Sequence, residues 1–181
     1  AYTQLLVLDI DKLVIPNTVI RQKNLNNGDV QSIAEKILSQ MPPEFQETSY
    51  IAQASASFGR DTSKVSIHIF MFLTVPIPPK ALKLWLNAAN FETQLFTDNL
   101  TLSSNGQSLA YPLDVSISEN SKTVFIAPPT FDPVEDDPFD SKDDRIVLVK
   151  RKKHHVDLAR FMNDINPESV FQKTSDAKNT L

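Results

Sequence analysis

The feature that most constrains the fold is a strict alternation of side chains between residues 65 and 73. Every odd position is apolar, whereas the even positions begin with a serine and a histidine: Val65, Ile67, Ile69, Met71 and Leu73 against Ser66, His68, Phe70 and Phe72. Successive side chains of a strand point to opposite faces, so one face of this strand belongs to the core. The other face is available to a ligand where the strand starts.

A second strand is predicted at Leu5–Asp11, where four apolar residues run into two aspartates. Alternation puts Asp9 and Asp11 on one face, about 7 Å apart, while Ile10 points into the core. Burying two carboxylates without a cation is costly. Mg²⁺ and Mn²⁺ prefer such hard oxygen ligands, so the motif predicts a metal site. The alternative is a strand that ends in a polar turn with both acids solvated.

The remaining pattern mixes strands with only two or three helices. Apolar residues at helical spacing run from Val30 to Met41. This predicted helix has Asp29 as its N-cap and ends at Pro42-Pro43. The elements predicted after it are, in chain order, a strand at 50–55, a helix after Pro79, a short strand at 95–96, strands at 123–127 and 145–149, and a helix at 156–163. Since strands and helices do not alternate regularly, we predict an α+β domain with an antiparallel sheet, the site on one face and helices on the other.

Length and composition limit the possible classes of protein. A chain of 181 residues fits one domain, which we place at 1–165; the polar residues 166–181 are expected to fray and to link to further segments of a longer protein. The net charge of −4 means that any nucleic-acid contact must come from a local patch. The absence of cysteine excludes thiolate metal sites and cysteine nucleophiles. The sequence has no apolar run of membrane length and no signal peptide, so we expect no membrane partner and a cytoplasmic protein.

A third acid and a group of donors complete a candidate site. Asp114 follows a short apolar step, and Lys64, Ser66 and His68 share one face of the strand at residues 65–73. Two-metal phosphoryl transfer needs acids that hold two cations, together with donors for the triphosphate. The alternative for His68 is a histidine with a purely structural role.

Together these motifs resemble those of archaeo-eukaryotic primases. The chain is most similar to the primase-polymerase domains of plasmid, phage and mobile-element replication proteins. The resemblance covers residues 5–132 and is carried by Asp9-Ile10-Asp11, Pro42-Pro43-Glu44-Phe45, Ser55-Ala56-Ser57-Phe58-Gly59, Ser66-Ile67-His68, Pro112-Leu113-Asp114 and Phe125-Ile126-Ala127-Pro128-Pro129-Thr130-Phe131.

The resemblance implies an RRM-like antiparallel sheet, two divalent ions (Mg²⁺ or Mn²⁺) and template-dependent nucleotidyl transfer, as in a DNA primase or DNA polymerase. The residues matched by motif are Asp9, Asp11 and Asp114 for metal binding and catalysis, and Ser66, His68 and Lys64 for the incoming nucleotide. We add Arg60, which lies outside the three motifs, as a further phosphate contact.

The same resemblance implies partners and a setting. The expected partners are a single-stranded DNA template, a dNTP or NTP, and a helicase domain or protein. The expected role is replication of a plasmid, phage or mobile element. The cytoplasm of a bacterial or archaeal host or of a phage-infected cell is the expected location, or the nucleus or virus factory for a eukaryotic virus.

Two other functions remain open at this point. The first strand also resembles the first motif of haloacid-dehalogenase-type phosphatases, in which Asp9 would be the nucleophile and Asp11 the acid–base partner. That family expects a small Gly-Thr-type turn next, whereas Lys12-Leu13 follows here. Alternatively, the chain is a non-catalytic module whose basic run at 150–153 follows phosphates. That run could instead be a solvated cluster that balances the acidic run at 135–144, which we interpret as a surface loop.

Overall fold

A computed structural model describes residues 2–181 as strands and helices around one main sheet. The strands are β1 (Thr3–Leu13), β2 (Tyr50–Ala54), β3 (Val65–Ile77), β4 (Thr101–Leu102), β5 (Leu109–Ala110), β6 (Ile146–Val149) and β7 (His155–Val156). The α-helices are α1 (Asn27–Leu38), α2 (Pro43–Gln46), α3 (Pro79–Glu92), α4 (Gln94–Thr97), α5 (Leu158–Met162) and α6 (Pro167–Thr180). Short 3₁₀ turns occupy Val115–Ser118, Val134–Asp136 and Lys142–Arg145.

The main sheet has the strand order β1-β3-β2-β6, and β7 pairs with the far end of β3. The β1–β3, β2–β3 and β2–β6 pairs are antiparallel, whereas the short β3–β7 pair is parallel. Helix α1 packs against β2 and β6, and α5 packs against β3. The prediction of an α+β fold with an antiparallel sheet and flanking helices is therefore confirmed.

Strand β3 lies between β1 and β2 and buries one of its two faces. The five odd positions from 65 to 73 are all buried, and none is more than 2% exposed. The even positions become progressively more exposed along the strand, from the buried Ser66 through His68 and Phe70 to the exposed Phe72. The sheet therefore has one dry face and one accessible face, and the polar start of β3 lies on the accessible one.

Helix α1 buries the predicted apolar stripe but is capped by a different residue. The N-cap is Asn26, whose side chain accepts hydrogen bonds from the N–H groups of Gly28 and Asp29. Asp29 is the third helical residue, and its carboxylate accepts from the Asn26 N–H at 2.9 Å. This reciprocal pair is a capping box, so the prediction that Asp29 caps the helix was wrong by three positions.

Three further predictions about local structure were also wrong. Residues 95–96 belong to helix α4 and not to a strand, because Thr93 and Thr97 join them to the end of α3 by backbone and hydroxyl hydrogen bonds. Residues 123–127 form no strand. The segment after Asn166 does not fray: it forms helix α6, capped by the Asn166 side chain and packed against α3.

The acidic segment 135–144 is only in part the surface loop predicted from the sequence. Phe139 within it is buried and packs on the guanidinium of Arg145, 4.4 Å from the ring centroid. Arg145 is 1% exposed and forms a salt bridge with Asp137. A buried charge needs such a partner, so this ion pair holds the segment against the domain.

Gly59 marks the place where three segments meet. Its φ of +82° lies in the left-handed region, and a Cβ there would lie 2.5 Å from Leu25 Cδ1 and 2.8 Å from Pro138 Cβ. Replacing Gly59 with Ala should lower the free energy of unfolding by about 2–5 kcal/mol, since backbone strain and overpacking add. Urea denaturation measures this change.

Gly106 offers the matched control for this prediction. It too has a positive φ, +68°, but a Cβ would meet nothing within 4 Å. Replacing Gly106 with Ala should cost only the backbone strain, about 1–2 kcal/mol. Equal losses of stability at the two positions would contradict the packing role of Gly59.

None of the helices formed by residues 2–181 has the length and apolar character needed to cross a membrane.

Candidate active site

The candidate site lies on the accessible face of the sheet, where β1 and β3 pair. Asp9 is directly opposite His68, and the Asp9 Oδ1 atom lies 3.3 Å from the His68 Nε2 atom. Both side chains are partly exposed, at 20% and 13%. The second ring nitrogen of His68, Nδ1, is buried without a hydrogen-bond partner among the described residues. A proton on Nε2 would therefore be shared with the Asp9 carboxylate.

A bulge in β1 presents the second acid. Asp11 and Lys12 lie together opposite Ser66, because the register shifts between Ile10 and Leu13. Lys12 has a φ of +54°, in the left-handed backbone region that residues other than glycine rarely adopt. The Ser66 hydroxyl bridges the bulge: it accepts from the Lys12 N–H at 3.0 Å and donates to Asp11 Oδ1 at 2.5 Å. Bulges often re-aim side chains in this way, and here Asp11 stays on the face that carries Asp9.

The third acid reaches the site through backbone pairing at the outer edge of β1. Asp11 N–H donates to Pro112 O at 3.0 Å, and Asp114 N–H donates to Asp9 O at 2.8 Å. Between these bonds, Leu113 pairs with Ile10 in an antiparallel bridge. The backbone segments that carry the three predicted acids are thus paired, although Asp114 is 103 residues beyond Asp11 in the chain.

Lys122 neutralises part of this acidic cluster. Its ammonium lies 3.0 Å from Asp114 Oδ2, and Ser116 donates to the same carboxylate from both its N–H and its hydroxyl at 2.8 Å. Burial raises the pKa of Asp114, but the bonds from Ser116 and Lys122 outweigh it, so that pKa lies below its usual value. The hydrogen bond with Asp114 and the charges of Asp114, Asp9 and Glu119 raise the pKa of Lys122.

The lowered pKa of Asp114 predicts a dependence of stability on pH. A carboxyl group with a depressed folded-state pKa contributes stability above its unfolded-state pKa, and this contribution disappears as the pH falls through the folded-state pKa. The melting temperature of the wild type should therefore exceed that of Asp114→Asn at neutral pH, and the gap should narrow below about pH 4. Thermal melts across acidic pH check this, with the exposed Asp164→Asn as control; a gap independent of pH would contradict it.

The two other residues predicted to contact the nucleotide, Lys64 and Arg60, lie outside strand β3. Lys64 is exposed just before β3 and lines a cleft of about 720 Å³ together with Asp11, Lys12 and Tyr111. This volume is in the range of small-molecule sites. Arg60 is not brought to the acids: its guanidinium lies over the ring of Phe131, 5.7 Å from the centroid. The cleft thus opens beside Asp11, with Lys64 at its wall.

The donor set can be compared with the needs of a divalent ion. Carboxylate oxygens suit Mg²⁺ and Mn²⁺, and Asp9, Asp11 and Asp114 supply them from two paired segments. Among residues 2–181, no three histidine or acidic side chains are gathered closely enough to hold a metal ion. Each acid instead contacts a neighbour: His68, Ser66 and Lys122 respectively. The three acids therefore suit a divalent ion by the chemistry of their oxygen atoms, and not by a preformed arrangement of three ligands.

Sequence reasoning missed two residues that support the site. Asn90 of α3 is fully buried, and its amide donates to Leu113 O at 2.9 Å and accepts from Leu113 N–H at 3.2 Å. This fixes the segment that carries Asp114. Its position one turn after Leu86, on the apolar stripe of α3, was a usable signal. Lys122 lies in an irregular polar segment and gave no such signal.

Comparison of the chain with protein-family models, with curated proteins and with solved structures gave no match. The function is therefore argued from the site itself. The doubly wound parallel sheet that would favour the phosphatase hypothesis is not what the structure has, since its long strand pairs are antiparallel.

Proposed function

We propose that the chain is a nucleotidyltransferase that adds nucleotides to a growing strand on a single-stranded template, as a DNA primase or DNA polymerase of a plasmid, phage or mobile element. The observation that supports this most is that Asp9 and Asp11 contact His68 and Ser66 on one sheet face, while the segment that carries Asp114 pairs with the edge of β1 beside them. An RRM-like core and a primase-polymerase family membership are part of the same proposal.

In this proposal, Asp9, Asp11 and Asp114 would hold two divalent ions, whose chemistry there would be the stabilisation of negative charge during phosphoryl transfer. Ser66 orients the Asp11 carboxylate through its hydroxyl hydrogen bond. Lys122 keeps Asp114 ionised and in place.

The incoming nucleotide is held by β3 side chains that lie beside the acids on the same sheet face, and by the cleft. His68 donates from Nε2 to a phosphate oxygen in place of its contact with Asp9, and Lys64 contributes a positive charge beside the triphosphate. The cleft next to Asp11 takes the remainder of the nucleotide, which has a size suited to its volume. The Arg60 side chain packs on Phe131, and its contact with a phosphate stays a prediction.

A template-extension assay tests the function. The protein is incubated with a primed or unprimed single-stranded template, Mn²⁺ or Mg²⁺, and labelled dNTPs or NTPs. We expect extended products that depend on both the metal and the template. A protein that binds the template and never extends it would be the non-catalytic module. One that ignores the template and releases phosphate from a small phosphoester would be a phosphatase.

A further inference from the structure

A row of aromatic rings leads away from the acids along the accessible face of the sheet. The ring stripe consists of Phe70 and Phe72 of β3 and His155 of β7. His68 of the site lies at its start, with its ring centroid 6.1 Å from that of Phe70, and Phe72 and His155 are 6.3 Å apart. Successive positions on one face of a strand are about 7 Å apart, so the stripe is a continuous track.

The ring stripe is half-buried at Phe70 and open to solvent at Phe72 and His155, unlike the core face of the same strand. Phe72 is 57% exposed, although its neighbours Met71 and Leu73 are buried. Leu5 of the neighbouring β1 lies opposite Phe72 and is 39% exposed, and Leu148 of β6, beyond β2, is 59% exposed. Exposed apolar side chains that neighbour each other on β1 and β3 indicate an interaction site.

Positive charge lies at the far end of the ring stripe. The basic run at 150–153 connects β6 to the segment before β7, but two of its members are already neutralised: Arg151 pairs with Glu35 and Lys153 with Glu47. These partners belong to α1 and the end of α2, and not to the acidic segment 135–144 as the sequence suggested. Lys150 and Lys152 have no salt-bridge partner among the described side chains.

We infer that the ring stripe binds a single-stranded nucleic acid, whose bases stack on Phe72 and His155 while its phosphates contact Lys150 and Lys152. Stacking platforms flanked by cations are the usual way to hold a single strand without reading its sequence. A strand on this track arrives at Asp9 and Asp11, because His68 pairs with Asp9. The inference deepens the proposed function and rests on it, since the bound strand is its template.

The charges favour this occupant over a second protein chain. An apolar protein surface would satisfy Leu5, Phe72 and Leu148 but would leave two ammonium groups at its edge without a partner. A polyanion with flat bases satisfies both the rings and the cations. A template strand also explains why the track begins at the acids.

Fluorescence anisotropy with labelled oligothymidylate tests the surface, and oligouridylate in a parallel arm distinguishes DNA from RNA. Phe72→Ala should weaken binding by about tenfold, because one base no longer stacks on the protein. The matched control is Phe171→Ala on α6, a phenylalanine that is 77% exposed and lies away from the sheet. It should leave the affinity unchanged. Circular dichroism should show all variants folded, because both phenylalanines are exposed.

The cationic end is tested through the salt dependence. Log affinity falls as log salt rises. In the double variant Lys150→Gln, Lys152→Gln this fall should be less steep, by about 0.7 in slope for each phosphate that the variant no longer neutralises. Lys173→Gln with Lys178→Gln removes the same charge from α6 and should leave that slope unchanged. An equal change of slope in the two pairs would mean that only net charge matters, and would overturn the proposal.

Further results would overturn the binding surface or separate it from the proposed function. Unchanged affinity in Phe72→Ala, or a dimer that this variant dissociates without any oligonucleotide binding, would overturn the proposal. The Asp9→Asn, Asp11→Asn variant separates it from the proposed function, because it should still bind oligonucleotide while synthesis stops. If the wild type extends primers and Phe72→Ala does so with unchanged affinity, only the binding surface is wrong. If the wild type binds through Phe72 and never extends, only the function is wrong.

Discussion

Replacing Asp9 and Asp11 together with asparagine is expected to reduce template-dependent nucleotide incorporation by about a thousandfold or more. Metal ions contribute several kcal/mol of charge stabilisation to such transition states, and each 1.36 kcal/mol is a factor of ten in rate. Asparagine keeps the size of aspartate and can still accept the hydrogen bond from Ser66 that now ends on Asp11. The reduced rate should therefore come from the missing charge and not from a change of fold.

Two measurements on this variant should change together: Mn²⁺ affinity, from titration calorimetry, and the extension rate. The control removes two exposed acids elsewhere, Asp140→Asn and Asp164→Asn, and should leave both quantities unchanged. Thermal melts should show that each variant folds. If the Asp9→Asn, Asp11→Asn variant extended primers at the wild-type rate, the site would be assigned to the wrong acids.

Replacing His68 with alanine is expected to weaken nucleotide binding by about 10- to 100-fold and to slow turnover, while the melting temperature changes little. A hydrogen bond to a charged group contributes about 1.5–3 kcal/mol, which sets this range. His68 lies on the accessible face, opposite Asp9, and its Nδ1 has no partner in the described structure. Although its side chain is only 13% exposed, it lies on the face of β3 away from the core residues Ile67 and Ile69, so its removal leaves the core face of the strand intact.

A structural histidine predicts the opposite result, with a lower melting temperature and unchanged nucleotide affinity in the protein that remains folded. His154→Ala is the matched control, because this exposed histidine forms a hydrogen bond with Ser49, at 3.2 Å, and lies outside the site. Nucleotide affinity from a competition assay and thermal melts on the same samples distinguish the two roles. Reduced stability alone would exclude the binding role.

Local patterns in the sequence were sufficient for much of the fold. The alternation in β3 and the helical spacing in α1 each predicted a buried face, because burial of apolar surface depends on a repeat that is visible along the chain. Prediction failed where the pattern was short. Residues 95–96 look like a strand by composition but lie in helix α4, since tertiary contacts decide short apolar segments.

The two aspartates of β1 and the serine and histidine of β3 could be placed on one face from sequence alone, because strand alternation is a property of the backbone. Their mutual contacts could not be predicted. The register that puts Asp9 against His68 and the bulge at Lys12 that puts Asp11 against Ser66 both depend on how two distant segments pair.

The sequence by itself determined which side chains could do the chemistry and which faces they occupy. Only the tertiary structure decided what surrounds them: Asn90 and the edge of β1 position Asp114, Lys122 is its counterion, and Arg60 turns to Phe131 instead of the acids. The physical reason is the distance along the chain over which each interaction acts. Alternation and helical spacing act over a few residues, whereas the electrostatics of a site depend on charges that are far apart in the chain and are brought together only when the core packs.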